Sequence, residues 1–396
     1  MILTRKQQEG LEIAINRYKN KEKYTTIAGY AGSGKTTLIN FIVDALSSYG
    51  IDPEKDIAFA AYTGKAAQVL IDKGCHNART THKLLYESRP KPDGTFLYVP
   101  VTEIGYKIVI IDECSMFPKD MMEQLLSYDA HVIFVGDPGQ LPPIDKKQNN
   151  HLLDHPHIFL DEVMRQAQDS GIIRLSMKIR HGEKIDNFKS EEAIVLPMKE
   201  LNTGMLEWGD IILCAKNDTR RWLNKEYRKS KNYEAPLVEN EKIIILNNDW
   251  GILSRNNQNA LTNGCIGTLT GFYSQTLSLP SYVGVKGGLS VVRGKFDTDT
   301  GDDFGRLTFD KKCLIEGVPT LSGPQKYKLL KNPKYKGLVP TEATYGYAIT
   351  TWKAQGSEFE KVLGLEENFP FDRDEHQKYL YTAVTRASKK IVLLRG

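Results

Sequence analysis

The chain has 396 residues, of which 40% are hydrophobic and 26% are charged, and its formal net charge is +4 at pH 7. This composition is typical of a soluble globular protein, and the length predicts more than one domain. The charge is too small to indicate a polyanionic partner by itself, so a nucleic acid would have to bind local basic surfaces. Five scattered cysteines argue against a disulfide framework or a zinc site, and no signal peptide or membrane-spanning run is recognisable. We therefore expect a cytoplasmic protein.

The first predicted helix begins after Thr4, which is a plausible N-cap, and a β-branched run at residues 24–28 predicts a buried strand. The strand leads into the pattern G-x-x-x-x-G-K-[ST], and apolar residues at helical spacing follow it. A loop between a strand and a helix N-terminus can hold phosphates with its backbone N–H groups. Lys35 would reach the β- and γ-phosphates, and the Thr36 hydroxyl would ligate Mg²⁺. The sequence thus predicts a nucleotide site formed by Gly29, Gly32, Ser33, Gly34, Lys35, Thr36 and Thr37.

The next elements are a strand at residues 57–62, a helix from Thr63 and a short helix from Thr80. Residues 87–106 differ in character, because prolines and an Asp-Gly pair surround a strand-like run. This pattern predicts a β-hairpin that projects from the first domain.

Two further buried strands, residues 107–111 and 131–135, end in polar motifs. Asp112 and Glu113 follow the first strand, and Gln140 follows the second. Strands that alternate with helices and carry polar motifs at their carboxyl ends predict a parallel α/β sheet with a ligand outside those ends. Asp112 is a candidate Mg²⁺ ligand, Glu113 could polarise the attacking water, and Gln140 could contact the γ-phosphate.

A polar segment at residues 145–154 reads as a linker, and its histidines match no tetrahedral zinc spacing. Domain boundaries are predicted as follows: a first α/β domain at 1–150, a second at 151–233 and 326–396, and a β-rich insertion at 234–325. The second domain supplies two candidate arginine fingers, Arg165 and Arg386, which would stabilise charge on a transferred phosphoryl group.

An ordered series of motifs runs along nearly the whole chain: LTRKQ (3–7), GYAGSGKTT (29–37), AYTGKAA (61–67), TH (81–82), DECSM (112–116), GDPGQLP (136–142), VMRQ (163–166), TWKAQGSE (351–358) and YTAVTR (381–386). The series resembles the helicase motifs of superfamily 1, in its RecD/Dda-like (1B) branch. The resemblance implies two RecA-like P-loop domains with parallel sheets, ATP and Mg²⁺ in the cleft, and a monomer that moves 5′→3′ on single-stranded DNA. It also implies that residues 87–106 are the strand-separating pin (1B) and residues 234–325 an SH3-like insertion (2B).

Residue roles follow from the same resemblance. Gln7 would read the adenine and Glu358 the ribose. The DNA contacts implied by the resemblance are Thr63, Lys65, Thr81, His82, Thr351 and Lys353, and we add the aromatic residues Tyr62, Phe96 and Trp352 as candidate contacts.

Two positions depart from the family pattern. Tyr62 replaces the usual proline, and Trp352 replaces the usual histidine. Tyr62 could stack on a base or fill the strand end, and Trp352 could stack on DNA or pack between the domains. The basic segments at 220–229 and 326–336 suit either a strand-tracking surface or a solvated face.

The resulting hypothesis is an ATP-dependent DNA helicase whose partners are single-stranded and forked duplex DNA, together with replication or recombination proteins. Two alternatives remain open. One is an RNA helicase of the same superfamily, and the other is a non-unwinding, nucleic-acid-dependent ATPase that acts as a loading or remodelling factor.

Overall fold

The computed structural model describes residues 3–72, 74, 75, 77–90, 96–164, 169–256, 259–368 and 372–396. These residues form two compact units. Unit 1 comprises Met1–Leu85, Val101–Asn217 and Thr350–Gly396, and unit 2 comprises Tyr86–Pro100 and Asp218–Ile349.

The strands, in chain order, are Tyr24–Gly29 (β1), Ile57–Ala61 (β2), Arg79–Thr80 (β3), Tyr86–Pro90 (β4), Phe96–Pro100 (β5), Ile108–Asp112 (β6), His131–Gly136 (β7), Ile158–Leu160 (β8), Ala193–Pro197 (β9), Ile211–Cys214 (β10), Glu241–Ile245 (β11), Asp249–Leu253 (β12), Ala260–Leu261 (β13), Ile266–Leu277 (β14), Leu289–Thr298 (β15), Asp303–Asp310 (β16), Ala343–Tyr345 (β17), Ala348–Thr350 (β18), Phe359–Leu365 (β19) and Ala387–Arg395 (β20). The α-helices are Arg5–Lys19 (α1), Lys35–Ser47 (α2), Pro53–Asp56 (α3), Gly64–Asp72 (α4), Thr81–Leu85 (α5), Lys119–Leu126 (α6), Gly171–Arg180 (α7), Thr203–Trp208 (α8), Asn217–Ser230 (α9), Lys311–Glu316 (α10), Gly323–Leu330 (α11), Thr351–Ala354 (α12) and Arg373–Val384 (α13).

The first sheet of unit 1 has the order β3-β2-β6-β7-β1-β8 and is parallel throughout. Strands β1, β2 and β7 are almost entirely buried, as is typical of the apolar runs of a parallel sheet. Ile27 of β1 packs with Leu38 and Ile42 of α2 in one core cluster. The predicted α/β architecture is therefore confirmed, and it places the carboxyl ends of β1, β6 and β7 at one edge.

β8 was not predicted. It pairs in parallel with β1, so the first sheet extends beyond residue 150. A three-residue strand is too short to show a period, and the polar segment that precedes it resembles a linker. His157 anchors the approach to this strand, because its Nδ1 accepts a hydrogen bond from the Thr26 backbone N–H over 3.0 Å.

The second sheet of unit 1 is also parallel, and it includes four strands in the order β10-β19-β20-β9. Two parallel sheets in one chain agree with two RecA-like halves. The run at residues 345–350 predicts one strand, whereas the structure has two short strands there: β17 ends at Tyr345 and β18 begins at Ala348. At the break, the backbone N–H groups of Tyr347 and Ala348 donate to Asn224 Oδ1, each over 3.1 Å.

Unit 2 contains an antiparallel sheet of five strands in the order β16-β15-β14-β11-β17. Its interior is packed with large side chains such as Phe296 and Phe309. Arg228, in one of the basic segments, is 6% exposed and forms an ion pair with the fully buried Glu241. This arginine therefore belongs to neither a solvated face nor a nucleic-acid surface. The SH3-like character of residues 234–325 stays a prediction.

The segment predicted as a hairpin contains β4 and β5, which pair antiparallel with Tyr86 opposite Pro100 and Pro90 opposite Phe96. Residues 91–95 lie outside the described part of the chain. Among the described helices, none is both long enough and apolar enough to cross a membrane.

Candidate active site

The phosphate loop connects β1 to α2, as predicted. Gly32 and Gly34 have positive φ values of 76° and 81°, which glycine adopts readily and other residues rarely adopt. Lys35 is the first residue of α2, and its Nζ donates to the backbone oxygens of Gly29 over 2.7 Å and of Tyr30 over 3.1 Å. The lysine side chain therefore folds back over its own loop. Phosphate oxygens bound in the loop would compete with these two backbone oxygens for its ammonium group.

Gln7 lies directly against the loop. Its Nε2 donates to the Gly34 backbone oxygen over 3.2 Å, and the side chain is 1% exposed. A Cβ at Gly34 would lie 2.4 Å from that Nε2, so the end of the Gln7 side chain would have to move, and the φ of 81° would strain any other residue at this position. Gln7 also completes a capping box with Thr4 at the start of α1. The helix start thus positions the residue predicted to read adenine, a role that stays a prediction.

A cavity of about 300 Å³ opens beside the loop. Lys35, Thr36 and Asp112 line it together with apolar side chains from β2, β6 and β7. Ser33 Oγ is buried and has no hydrogen-bond partner among the described residues, which leaves one donor of the loop available for a ligand. One carboxylate and one hydroxyl fit Mg²⁺, which usually keeps waters and takes its remaining ligands from substrate phosphates. The described residues contain no cluster of three His, Cys, Asp or Glu that could hold a metal alone.

The carboxyl ends of β6 and β7 bring Glu113 and Gln140 to the same edge of the sheet. Glu113 has a φ of 53°, an uncommon value for a non-glycine residue, and its backbone N–H donates to Asp112 Oδ1 over 2.9 Å. Gln140 is 6% exposed, and its Oε1 has no hydrogen-bond partner in the described part of the chain. A buried, unsatisfied amide oxygen on this edge is available to a ligand or a water.

Tyr381 connects the two sheets of unit 1 at the phosphate loop, and sequence analysis assigned it no role. Its hydroxyl donates to Asp137 Oδ2 over 2.6 Å and accepts from the backbone N–H of Ala31 over 2.9 Å. Its ring packs so closely on Gly139 that a Cβ there would lie 2.9 Å from Cε1. Asp137 and Tyr381 are 1% and 2% exposed. Burial raises the pKa of the Asp137 carboxyl, although the nearby charge of Lys35 and the hydrogen bond from Tyr381 oppose that shift.

Two more hydrogen bonds reinforce this contact. The Leu141 backbone N–H donates to Thr382 Oγ1 over 3.0 Å, and Gln355 Nε2 donates to the Leu141 oxygen over 3.0 Å. The segment after β7 is therefore tied to both α13 and the residues that follow α12.

The two predicted arginine fingers differ in what the structure shows. Arg386 is 5% exposed, and its guanidinium donates to the backbone oxygens of Thr382 and Ser357 over 3.3 and 3.2 Å. Arg165 lies outside the described residues. The role of both as fingers stays a prediction.

The predicted DNA contacts fall into three groups. Tyr62, Thr63, Lys65, His82, Trp352 and Lys353 are partly exposed. The rings of Tyr62 and His82 lie 5.7 Å apart, and burial lowers the pKa of His82. Thr81 and Thr351 are fully buried, so their side chains offer no surface to a strand in this conformation. The side chain of Phe96 lies outside the described part of the chain. Glu358, the predicted ribose contact, is exposed.

Comparisons with known proteins agree with this geometry. Residues 3–195 match the family model of an AAA domain, and residues 345–394 match that of a UvrD-like helicase C-terminal domain. The chain is 33% identical to the ATP-dependent RecD2 DNA helicase of Deinococcus radiodurans over 166 residues, which cover 41% of this chain and 22% of that protein. It is 29% identical to the ATP-dependent DNA helicase Dda of Enterobacteria phage T4 over 194 residues, which cover 46% of this chain and 43% of that protein. The matches thus span less than half of both relatives.

A solved structure has the same fold over nearly the whole chain. Pif1 helicase from Bacteroides, in complex with ADP-AlF3 and single-stranded DNA, gives a TM-score of 0.56 at 19% identity, with 99% of this chain and 92% of that chain covered. The fold and the site together define a P-loop protein with two RecA-like halves. More narrowly, the two family-model matches and the similarity to RecD2 and Dda support a place in superfamily 1B, with the RecD- and Dda-like helicases.

Proposed function

We propose that the chain is an ATP- and Mg²⁺-dependent DNA helicase, which moves 5′→3′ along single-stranded DNA and unwinds duplex DNA. The observation that carries this proposal is the hydrogen-bonded path from Ala31 in the phosphate loop through Tyr381 of α13, the helix that precedes Arg386. The path joins the loop of the first sheet to the elements of the second. A motor needs such a link, because movement of one half against the other must respond to the nucleotide.

Each residue of the site has a role in this proposal. The loop N–H groups and Lys35 hold the phosphates, while Thr36 and Asp112 hold Mg²⁺, which neutralises developing charge on the phosphates. Glu113 orients and deprotonates the attacking water, and Gln140 contacts it from the next strand. Arg386 and Arg165 stabilise the transferred phosphoryl group from the second half of the protein.

The nucleic-acid side of the proposal rests on exposed residues of both halves. Thr63 and Lys65 of the first half and Trp352 and Lys353 of the second would each grip the strand, with Tyr62 and His82 as the aromatic surface of the first grip. Residues 87–106 would separate the strands ahead of these grips. The 5′→3′ direction comes from the resemblance to superfamily 1B alone.

Forked duplexes test the proposal directly. The wild-type protein should separate a fork with a 5′ single-stranded tail in the presence of ATP and Mg²⁺, and it should fail on a fork with only a 3′ tail. Glu113→Gln is the matched control, because it keeps the size of the side chain and removes the base. ATP turnover without strand separation would support the loading or remodelling alternative instead. Stronger stimulation by poly(U) than by poly(dT) would support the RNA helicase.

A further inference from the structure

Arg180 contacts the phosphate loop, and none of the roles proposed above explains this contact. Its guanidinium carbon lies 3.7 Å from the centre of the Tyr30 ring, within the range of a cation–π interaction. The Tyr30 ring is also held edge-on by Phe159 of β8 and by Tyr381, with ring centres 5.4 and 6.5 Å apart. The backbone oxygen of Tyr30 accepts from Lys35 Nζ. One loop residue therefore carries an arginine on its ring and the phosphate-binding lysine on its backbone.

The hydrogen bonding of Arg180 is incomplete. It is the last residue of α7, where the helix dipole favours a cation. Nη2 donates to His181 Nε2 over 2.8 Å, while Nη1 is buried and has no hydrogen-bond partner among the described residues. No ion pair joins Arg180 to a carboxylate within the described residues, although Asp161 is close enough for the positive charge of Arg180 to lower its pKa. A guanidinium stays protonated at any ordinary pH, so the buried donor remains unsatisfied until an acceptor arrives.

We propose that Arg180 is a further contact of the nucleotide, and that it binds the terminal phosphate of a nucleoside triphosphate held in the loop. The inference rests on the proposed function, because it takes the ligand of the loop to be a nucleoside triphosphate. A planar guanidinium fork matches phosphate oxygens, which form stronger, charge-assisted hydrogen bonds than the aromatic face offers. Tyr30 keeps the cation beside the loop while the terminal phosphate is absent. Arg180 therefore distinguishes a triphosphate from a diphosphate.

The test compares the affinities of two nucleotides without DNA. Dissociation constants for Mg-ATPγS and Mg-ADP are measured by titration calorimetry for the wild type, Arg180→Gln and Arg174→Gln. Arg174 lies on the same helix and is exposed, so it is a control for the loss of one positive charge. Arg180→Gln should weaken ATPγS binding about tenfold, or 1.4 kcal/mol, and leave ADP binding within about twofold. Arg174→Gln should change neither constant. If Arg180→Gln weakens the binding of both nucleotides equally, or of neither, the proposal is overturned.

Further variants distinguish a phosphate contact from a purely structural role. Arg180→Lys keeps the positive charge but lacks the planar guanidinium, so its affinity for ATPγS should lie between those of the wild type and Arg180→Gln. This variant also tests the proposal if Arg180→Gln does not fold. Tyr30→Leu removes the ring but not the arginine, so preference for ATPγS over ADP should persist. If Arg180 serves only to anchor Tyr30, then Tyr30→Leu and Arg180→Lys will weaken both nucleotides alike.

The outcomes also separate this inference from the proposed function. ATPγS binding requires no turnover, so a wild-type protein that binds ATPγS but does not unwind DNA refutes the helicase and leaves the Arg180 test intact. A wild-type protein that unwinds DNA, with an unchanged ratio of affinities in Arg180→Gln, refutes the inference alone.

Discussion

Replacing Tyr381 with phenylalanine removes one oxygen atom from the centre of the link between the two sheets. The ring stays packed on Gly139, so no cavity forms. What is lost is the 2.6 Å hydrogen bond to Asp137 and the acceptor of the Ala31 N–H. A hydrogen bond to a charged group contributes about 1.5–3 kcal/mol, and Asp137 is too buried for water to replace the donor. We expect Tyr381→Phe to lower the free energy of unfolding by about this amount at pH values where Asp137 is ionised.

The loss of stability should depend on pH, because burial raises the pKa of the Asp137 carboxyl. A carboxyl whose folded pKa is raised binds more protons in the folded than in the unfolded protein, so stability falls as pH rises from the unfolded value of 3.8 towards the folded one. Without the Tyr381 hydroxyl the ionised form loses its donor, and the folded pKa rises further. The difference in stability between wild type and variant should therefore be small near pH 4 and largest above the folded pKa of the variant.

Urea unfolding of the nucleotide-free protein, followed by circular dichroism at about pH 4 and about pH 7.5, measures this difference. Tyr379→Phe is the matched control on the same helix, since its hydroxyl donates to the neutral backbone oxygen of Leu365. That variant should lose about 1 kcal/mol at both pH values. Equal losses for the two variants, or a Tyr381→Phe loss that does not grow with pH, would refute the account of Asp137.

Three further predictions concern the loop and the hairpin. Lys35→Ala should abolish ATP turnover and leave binding of oligo(dT) without nucleotide unchanged by fluorescence anisotropy; normal turnover would remove the loop from the mechanism. Gly34→Ala places a Cβ 2.4 Å from Gln7 Nε2 on a backbone at φ 81°, so it should cost about 1–2 kcal/mol in a thermal melt and weaken nucleotide binding, whereas Gly337→Ala, which meets nothing within 4 Å, should do neither. Replacing residues 88–103 with a tight turn should preserve DNA-stimulated ATP turnover and reduce strand separation; unchanged base pairs separated per ATP would show that another element is the pin.

Sequence analysis predicted the parts of the site that are contiguous in the chain. A β-branched strand, a glycine-rich loop and an apolar helix face stand next to one another at residues 24–46, so local patterns predicted the loop and its position. The same holds for β6 and β7, whose buried runs end in polar motifs. The carboxyl ends of parallel strands meet at one edge, which brings Asp112 and Gln140 to the loop without any knowledge of distant contacts.

The missed features depend on contacts between distant residues. Tyr381 and Asp137 are 244 positions apart, and nothing local to either residue indicates the other. Arg180 looks like an ordinary cation at a helix end until its position over Tyr30 is known. Likewise, Thr81 and Thr351 belong to motifs that predict DNA contacts, but the packing around them determines that both are buried. A pattern identifies a strand end or a helix start, whereas burial and pairing are set by the elements that pack against it.

The most direct test of the central claim is ATP turnover by the wild-type protein with Mg²⁺, measured in the presence and in the absence of oligo(dT). A nucleotide site linked to elements of both sheets predicts slow turnover without DNA and an increase of at least about tenfold, or 1.4 kcal/mol in activation free energy, when the strand is bound. Turnover that is absent under both conditions, or equally fast with and without oligo(dT), would contradict the account.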